Sequence, residues 1–270
     1  MNYSVLMSVY KKVKPEYLKT AIESMLEQSV ATNDFVLVCD GPLTESLDEV
    51  IAKFVRTNPG LFNVVRLPEN VGLAKALNAG LEECRYDIVA RMDSDDYSKK
   101  DRVEKQLVAM EENGADIVGT NIFEFRGDIS NLTQSRDLPE TDENIREFAK
   151  SRSPFNHPSV IYKKSKVQLV GGYGDFAYFE DYYLWITLLQ NGCKGYNVQE
   201  YLLLMRAGDD LFKRRGGKEY AKCVIKFKKH MLKVGYITRL NYLTQTSARV
   251  AVAIAPNKLR EKLYKEKLRG

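Results

Sequence analysis

The sequence predicts an α/β protein with a mostly parallel sheet flanked by helices, followed by a basic helical extension. Short apolar segments alternate with segments of helical periodicity up to residue 120, which is typical of βαβ units and a parallel sheet. Charge is divided unevenly, since residues 211–270 contain 17 Lys and Arg but only 3 Asp and Glu. A chain of 270 residues has room for one large domain and such an extension.

Each of the first four apolar segments is expected to form a strand that is followed by a helix. Pro15 is suited to the first turn of the first helix. The third helix has the clearest periodicity in the chain, with apolar or small residues three and four positions apart between Leu73 and Cys84. A fifth strand follows the fourth helix. The predicted strands are 3–9, 35–39, 63–67, 87–91 and 115–119.

The pattern changes after residue 120. Residues 121–138 are expected to form a hairpin or a sheet edge, and a short helix follows around Phe148. Another helix is indicated by apolar residues from Leu184 to Leu189, and Gly192 is suited to end it. Glu180 and Asp181 then lie at the N-terminus of this helix, where an acidic residue is also a common cap.

Polar side chains follow three of the predicted strands at the point where each strand ends. Asp93, Asp95 and Asp96 follow the fourth strand, Asp40 follows the second, and Ser8 and Tyr10 end the first. Ligands of open α/β sheets bind beyond the carboxyl ends of the strands. A solvated turn explains any one of these groups, but a ligand site explains all three.

A cation would relieve the repulsion among the three clustered carboxylates. Neither of the common phosphate-binding glycine loops is present, so a bound nucleotide needs another way to hold its phosphates. Oxygen ligands suit Mg²⁺ or Mn²⁺, and Mg²⁺ commonly joins one or two carboxylates to substrate phosphates. Only two histidines and four widely spaced cysteines are present, which makes a zinc site improbable and indicates a reducing compartment.

The basic extension has two interpretations. Residues 218–234 predict an amphipathic helix whose lysines flank an apolar stripe, and residues 257–270 repeat the basic pattern. Such a helix either lies on an anionic membrane or packs on the preceding domain. Because no signal peptide or membrane-spanning segment is recognised, we expect a cytoplasmic protein, peripheral on the inner face of the membrane if the first interpretation holds. The stripe consists of Tyr220, Cys223, Val224, Phe227 and Met231.

Five motifs in this order resemble the family 2 glycosyltransferases with a GT-A fold. They are "MSVY" (7–10), "VCDG" (38–41), "NVGLAKALNAGL" (70–81), "RMDSDD" (91–96) and "FEDYYLW" (179–185). The resemblance covers about residues 3–206, and "NHPSV", "GGY" and "RRGG" are similar to bacterial enzymes that build surface polysaccharides. Cys39 stands where relatives commonly have a second acid, so one carboxylate is missing there.

The resemblance implies a role for each matching position. Asp93 and Asp95 would be the D-x-D pair that holds Mn²⁺ or Mg²⁺, and Asp181 would be the general base, with Glu180 as the second catalytic candidate. His157 and Tyr173 are tentative acceptor residues, which could equally be structural. The UDP-sugar would be held by Ser8, Tyr10, Asp40, Gly72, Lys75, Asp93 and Ser94, and by Arg214 and Arg215, which are otherwise surface arginines.

The expected activity is therefore transfer of a sugar, with inversion, from a UDP-sugar to a saccharide hydroxyl. Residues 1–210 would form the catalytic domain, with a nucleotide-binding half (about 1–120) and an acceptor half (about 121–210), and 211–270 the extension. The resemblance also suggests an acceptor on a polyprenyl diphosphate, and no nucleic acid partner is expected. The alternatives are a sugar-phosphate nucleotidyltransferase and a sugar-nucleotide-binding protein without transfer activity.

Overall fold

A nine-stranded sheet forms the centre of the protein in this computed structural model, which describes residues 1–208 and 216–256. The order of the strands differs from their order in the chain, so the sheet contains several crossovers. The strands are β1 (Ser4–Val9), β2 (Phe35–Cys39), β3 (Phe62–Arg66), β4 (Ile88–Asp93), β5 (Tyr97–Ser98), β6 (Ile117–Phe125), β7 (Leu132–Arg136), β8 (Ile161–Lys163) and β9 (Gly195–Arg206).

Helices cover both faces of the sheet and form two apolar cores, one on each face. Pro15 is the first residue of α1, as predicted. A short 3-10 turn (His157–Ser159) precedes β8. The helices are α1 (Pro15–Leu26), α2 (Glu45–Thr57), α3 (Leu73–Glu83), α4 (Arg102–Glu112), α5 (Asp142–Phe148), α6 (Lys164–Leu169), α7 (Glu180–Gln190), α8 (Gly217–Lys233) and α9 (Arg239–Ile254).

The first half of the sheet agrees with the sequence prediction. Strands β3, β2, β1 and β4 are neighbours in that order and run parallel. Their carboxyl ends therefore meet at one edge of the sheet. In the β1–β4 pairing, Ser8 lies opposite Asp93, so the first strand end lies beside the acidic cluster.

The second half of the sheet is mixed. Strand β8 pairs antiparallel with both β4 and β6 and separates them. The predicted strand 115–119 begins only at Ile117, and it continues without a break through 121–125 as one strand, β6, although the sequence indicated two segments. It forms the predicted hairpin with β7 and a parallel pair with β9, a 12-residue strand that the sequence did not predict.

The described part of the extension, α8 and α9, packs on the preceding part of the chain. Tyr220, Val224, Phe227 and Met231 of α8 are buried, and the Phe227 ring stacks on Phe179 at 4.9 Å. The packed interpretation of this helix is therefore confirmed, and the idea that its apolar stripe lies on a membrane is wrong. Across the described ranges, 1–208 and 216–256, no helix is both long and apolar enough to cross a bilayer. The domain division at residue 210 stays a prediction.

Candidate active site

The acidic cluster lies in the turn between β4 and β5. Carboxylate oxygens of Asp93, Asp95 and Asp96 all lie within 4.8 Å of one another. Burial and the charge of Asp93 raise the pKa of Asp95 to about 6, and burial and the charge of Asp95 raise the pKa of Asp96 well above its usual value. Within the described residues, Oδ2 of Asp96 is buried without a hydrogen-bond partner. The cluster therefore has the oxygen donors and the excess negative charge that suit a divalent cation.

Arg91 supplies a positive charge beneath the cluster. It precedes Asp93 by two residues on β4, so both side chains lie on the same face of the sheet. Its side chain is 1% exposed and forms an ion pair with Asp93. In the part of the chain that the structure describes, its Nε and Nη1 have no hydrogen-bond partner. Burial raises the pKa values of Asp95 and Glu180, and the positive charge of Arg91 offsets part of that rise.

Arg206, at the end of β9, holds the acidic turn in place. Its backbone N–H donates to Oδ1 of Asp96 at 2.8 Å, and its Nε donates to the Asp95 carbonyl at 3.0 Å. The guanidinium also lies over the ring of Tyr17, 3.6 Å from its centroid. The turn is thus attached both to its own strand and to β9, which keeps three repelling carboxylates in one arrangement.

Asp40 holds the loop that leads into α3. Its carboxylate accepts hydrogen bonds from the backbone N–H groups of Val71 (2.7 Å) and Gly72 (3.2 Å) and from Nδ2 of Asn70 (2.9 Å). Gly72 has φ of +89°, which favours glycine at this position. Asp40 therefore positions residues 70–72 at the edge of the sheet that also carries the acidic cluster. Its contact with uracil stays a prediction.

The remaining predicted nucleotide residues differ in exposure. Tyr10 and Lys75 are exposed, whereas Ser94 is buried within the acidic turn. Tyr10 follows β1 directly, and Lys75 lies in the first turn of α3. Arg214 and Arg215 lie outside the described residues. The structure thus brings Ser8 beside the acidic cluster, while the contacts of the others with a nucleotide stay predictions.

Asp181 lies in the first turn of α7, as predicted, but it is not the cap. The helix begins at Glu180 and its N-cap is Phe179. Asp181 lines a cavity of about 310 Å³. Oε2 of Glu180 is buried, and burial together with the charge of Asp181 raises the pKa of Glu180. Of the two acids, Asp181 is the one that lines this cavity.

His157, which is partly buried, and Tyr173, which is buried, form a side-chain pair. Nε2 of His157 and the Tyr173 hydroxyl are 3.0 Å apart. Burial and the charge of Arg91 lower the pKa of His157 well below its usual value, so the ring is neutral at pH 7. Burial raises the pKa of Tyr173, and the charges of Asp181 and Asp93 add to this effect. Tyr173 therefore lies within electrostatic reach of both the acidic cluster and the candidate base.

The cavity that contains Asp181 is formed by both parts of the chain. His157 and Met205 come from the catalytic part, and Tyr220, Arg249 and Val252 come from α8 and α9. Its full lining is Arg136, Asp137, Leu138, Phe148, Arg152, Ser153, Phe155, Asn156, His157, Pro158, Tyr178, Phe179, Asp181, Tyr182, Met205, Tyr220, Arg249 and Val252.

Two kinds of site residue were missed from the sequence. Arg91 could have been found, because a lone cation two positions before Asp93 on an otherwise apolar strand must share its face. Arg152 and Arg249 could not, since they are about a hundred residues apart and no periodic pattern joins them. Their meeting in one cavity depends on how α9 packs.

Comparison with known proteins identifies the family of this chain. The sequence model of the family "Glycosyl transferase family 2" matches residues 4–170. The UDP-Gal:alpha-D-GlcNAc-diphosphoundecaprenol beta-1,3-galactosyltransferase of Escherichia coli is 36% identical over 99% of this chain and 97% of its own. The amylovoran biosynthesis glycosyltransferase AmsE of Erwinia amylovora is 36% identical over 99% of this chain and 100% of its own.

Solved structures share the fold. S. aureus TarS 1-349 in complex with UDP-GlcNAc superposes with a TM-score of 0.67 at 17% identity, covering 86% of this chain and 67% of the TarS 1-349 chain. The mannosyltransferase PcManGT of Pyrobaculum calidifontis, in complex with GDP-Man and Mn²⁺, gives 0.64 at 14% identity, covering 99% and 81%. With 167 residues matched by the family model and relatives that align end to end, the predicted resemblance is confirmed: this chain is a glycosyltransferase of family 2.

Proposed function

We propose that this glycosyltransferase moves a sugar, with inversion, from a UDP-sugar to a hydroxyl of a lipid-linked saccharide in the synthesis of a bacterial surface polysaccharide. The observation that carries the proposal is the position of Tyr173, which lies within electrostatic reach of both Asp93 and Asp181. A donor bound at the acidic cluster and an acceptor bound beside Asp181 would thus both lie close to Tyr173. The E. coli relative, whose name specifies UDP-Gal and a diphosphoundecaprenol-linked acceptor, supports both substrates.

The acidic cluster is the proposed site for Mn²⁺ or Mg²⁺. Asp95 and Asp93 would be its protein ligands, and the unpaired oxygen of Asp96 lies close enough to join them. A divalent ion bound there would stabilise the negative charge that develops on the departing diphosphate. The Mn²⁺ in the complex of PcManGT, which shares this fold, supports a metal of this class.

Ser8, Tyr10, Asp40, Gly72, Lys75, Ser94, Arg214 and Arg215 keep their proposed place around the nucleotide. Asp40 accepts three hydrogen bonds from residues 70–72, and an ionised carboxylate offers about four lone-pair sites. One site is therefore left for the uracil N–H, and the same three bonds shape the loop. Lys75 is exposed in the first turn of α3, which begins at that loop.

Asp181 is the proposed general base. Its carboxylate would accept the proton of the acceptor hydroxyl while the hydroxyl oxygen attacks the anomeric carbon. UDP leaves from the opposite face with the electron pair of the broken bond, so the configuration at that carbon inverts. The N-terminus of α7 favours the ionised form that a base needs. His157 and Tyr173 would shape the acceptor side, with neutral His157 lining the cavity and Tyr173 orienting it.

A peripheral contact with the membrane fits a lipid-linked acceptor, and we place it on α9. Beyond Arg239 at its first position, the exposed residues of this helix are uncharged and recur at helical spacing. Arg249 and Val252, which line the cavity, lie on the adjacent side of the same helix. A lipid bilayer is the proposed occupant, because the cavity would then open beside it. The exposed residues are Leu240, Leu243, Thr244, Ser247, Ala248, Ala251 and Ile254.

A screen of nucleotide sugars for slow hydrolysis tests the proposal, since hydrolysis needs no acceptor. The full chain is incubated with a panel of UDP-sugars, and with GDP-mannose, in the presence and absence of Mn²⁺. Release of UDP from one of the sugars only with the metal is expected, and it identifies the donor. Binding of UDP-sugars without any release, together with no transfer to lipid-linked acceptors, would indicate a binding protein instead.

A further inference from the structure

The cavity beside Asp181 has a cationic wall that is formed where α9 packs on the end of α5. Arg249 of α9 and Arg152, which follows α5, both line it. Both side chains are partly buried, and Nη2 of Arg249 donates to the Ser151 carbonyl at 2.8 Å. Arg249, from the extension, is therefore held next to Arg152, from the preceding part of the chain.

The two guanidinium groups are close enough to affect each other. Burial and the charge of Arg249 lower the pKa of Arg152. Lys228 adds a third cation, since its Nζ donates to the Lys150 carbonyl at 2.9 Å. The folded chain thus collects three basic side chains around residues 150–152.

Structural hydrogen bonds account for only part of this arrangement. A guanidinium has five N–H donors in a planar fork, and Arg249 uses one of them on the Ser151 carbonyl. Two such forks beside one cavity match the geometry of a phosphate group, which arginine binds through paired hydrogen bonds. The cavity volume of about 310 Å³ lies at the lower end of the range for small-molecule sites.

We propose that Arg152 and Arg249 bind the diphosphate of a lipid-linked acceptor, so that the C-terminal helices complete the acceptor site. This inference rests on the proposed function, which puts the acceptor hydroxyl at Asp181 on the same cavity. The acceptor sugar would then lie between the base and the arginines. The prenyl chain would leave the cavity past Val252 towards the exposed apolar residues of α9, such as Ala251 and Ile254.

The proposed site selects among acceptors. A diphosphate would offer several charged oxygens to the two guanidinium groups, whereas an acceptor without phosphate would offer them none. Saccharides with a diphosphate should therefore bind far better than the same saccharides attached to a neutral group. Because the cations do not depend on a metal, this site and the acidic cluster can be measured separately.

Calorimetry with geranyl diphosphate tests the inference on the full chain. EDTA is included, so that the diphosphate is not drawn to a metal at the donor site. We expect the wild-type chain to bind geranyl diphosphate, and Arg249→Gln and Arg152→Gln each to weaken binding by about tenfold to a hundredfold, the cost of one or two charge-assisted hydrogen bonds. Arg249→Lys, which keeps the charge, should retain part of the affinity.

Arg239→Gln is the matched control, because Arg239 is exposed on the same helix and does not line the cavity. It should bind geranyl diphosphate as the wild type does. Equal affinity of the wild type and the Arg249 and Arg152 variants for geranyl diphosphate would overturn the inference. Equal affinity of the wild type for inorganic pyrophosphate and geranyl diphosphate would also overturn it, because the prenyl chain would then contribute nothing to binding. Binding of UDP with Mn²⁺ is measured separately on the same protein preparations, in buffer without EDTA. If the wild type does not bind UDP with Mn²⁺, the result counts against the proposed function. If it binds UDP with Mn²⁺ but the arginine variants bind geranyl diphosphate as well as the wild type does, only this inference is overturned.

Discussion

At the scale of single residues, the protein tolerates three adjacent carboxylates because it supplies countercharges of its own. Arg91 pairs with Asp93 from below, and Arg206 holds the backbone and side chains of the turn from the neighbouring strand. The countercharge does not offset burial and the repulsion among the carboxylates, which together raise the pKa values of Asp95 and Asp96. Folding therefore leaves a negative site whose repulsion a bound cation would relieve.

Asp95→Ala should abolish metal-dependent binding of UDP. The substitution removes a proposed ligand, and it also removes one of three repelling carboxylates, so the folded state should not become less stable. Calorimetry of UDP with and without Mn²⁺ measures the effect. Asp128→Ala, which removes an exposed carboxylate in the β6–β7 turn, is the control and should bind normally. Metal-dependent affinity that survives in Asp95→Ala would show that the cluster is only a turn.

Asp181→Asn should lower the rate of sugar transfer by about 10²–10⁴-fold, the usual range for the loss of general acid–base catalysis. Asparagine keeps the shape of the side chain, and Asp181 is not the helix cap, so folding should change little. UDP-sugar binding should also persist, because the base faces the acceptor. Steady-state kinetics and calorimetry measure the two effects. Turnover within about threefold of the wild type in a folded variant would exclude this role, and Glu180 would become the candidate.

At the scale of helices, the two members of the extension use their faces differently. The apolar stripe of α8 is buried in the core, whereas the exposed residues of α9 after Arg239 are uncharged. A basic amphipathic helix such as α8 looks the same in sequence whether its apolar face meets a protein or a lipid. The packing of α8 on the core decides between the two. The exposed residues of α9 then form the proposed contact with a bilayer.

Leu240→Asp combined with Leu243→Asp should weaken binding to anionic liposomes. Both leucines are more than 60% exposed, at 69% and 61%, so a charge there costs the folded protein little but opposes contact with lipid. Flotation of the full chain with liposomes at low salt measures the change. Leu169→Asp is the control, since Leu169 is 75% exposed on α6. Equal flotation of the double variant and the wild type would place the lipid contact elsewhere.

Lys228 should make stability depend on pH. Burial and the charge of Arg249 lower its pKa to about 7, whereas the pKa of a lysine in the unfolded chain is about 10.4. Between these values the unfolded chain binds more protons, so this contribution to the free energy of unfolding rises with pH. Relative to Lys228→Met, the wild type should gain up to about 1.4 kcal/mol per pH unit across this window.

Urea unfolding of both proteins at pH 6, 7, 8 and 9 measures the difference. It should be constant below pH 7 and should favour the wild type increasingly above it. Lys229→Met, at an exposed neighbouring position, should show no such slope. A difference between wild type and Lys228→Met that does not change with pH would mean that Lys228 stays charged in the folded protein.

At the scale of the whole molecule, the catalytic part and the extension share one core. Val224, Phe227, Met231 and Ile237 belong to the same buried cluster as Trp185 of α7. The cavity beside Asp181 is also shared, since α8 and α9 provide part of its wall. The extension is therefore part of the architecture of the site, whichever boundary is drawn in the sequence.

A chain that ends at residue 208 should not fold stably. Removing α8 exposes the apolar cluster around α7, and each fully buried apolar side chain contributes about 1.5–3 kcal/mol. Thermal unfolding followed by circular dichroism should show a loss of the cooperative transition, or aggregation. A chain that ends at residue 256 keeps both helices and should unfold like the full chain. Cooperative unfolding of residues 1–208 at the temperature of the full chain would show that the predicted boundary at 210 separates independent domains.

The sequence by itself determined the parallel half of the sheet and the position of the acidic cluster. Strands β1 to β4 and their helices depend on local hydrophobic periodicity, and the polar groups that follow these strands must meet where parallel strands end. Arg91 was also within reach of the same rule, because alternation along a strand puts it on the face of Asp93. These features follow from residues that are neighbours in the chain.

Only the tertiary structure decided what the rest of the chain does. Strand β8 enters the sheet between β4 and β6, and β9 fixes the acidic turn through Arg206, because pairings between distant segments leave no periodic signal in the sequence. The face that α8 buries and the meeting of Arg152 with Arg249 depend on the packing of helices. Local patterns set which residues are apolar or charged, and packing sets which of them share a cavity.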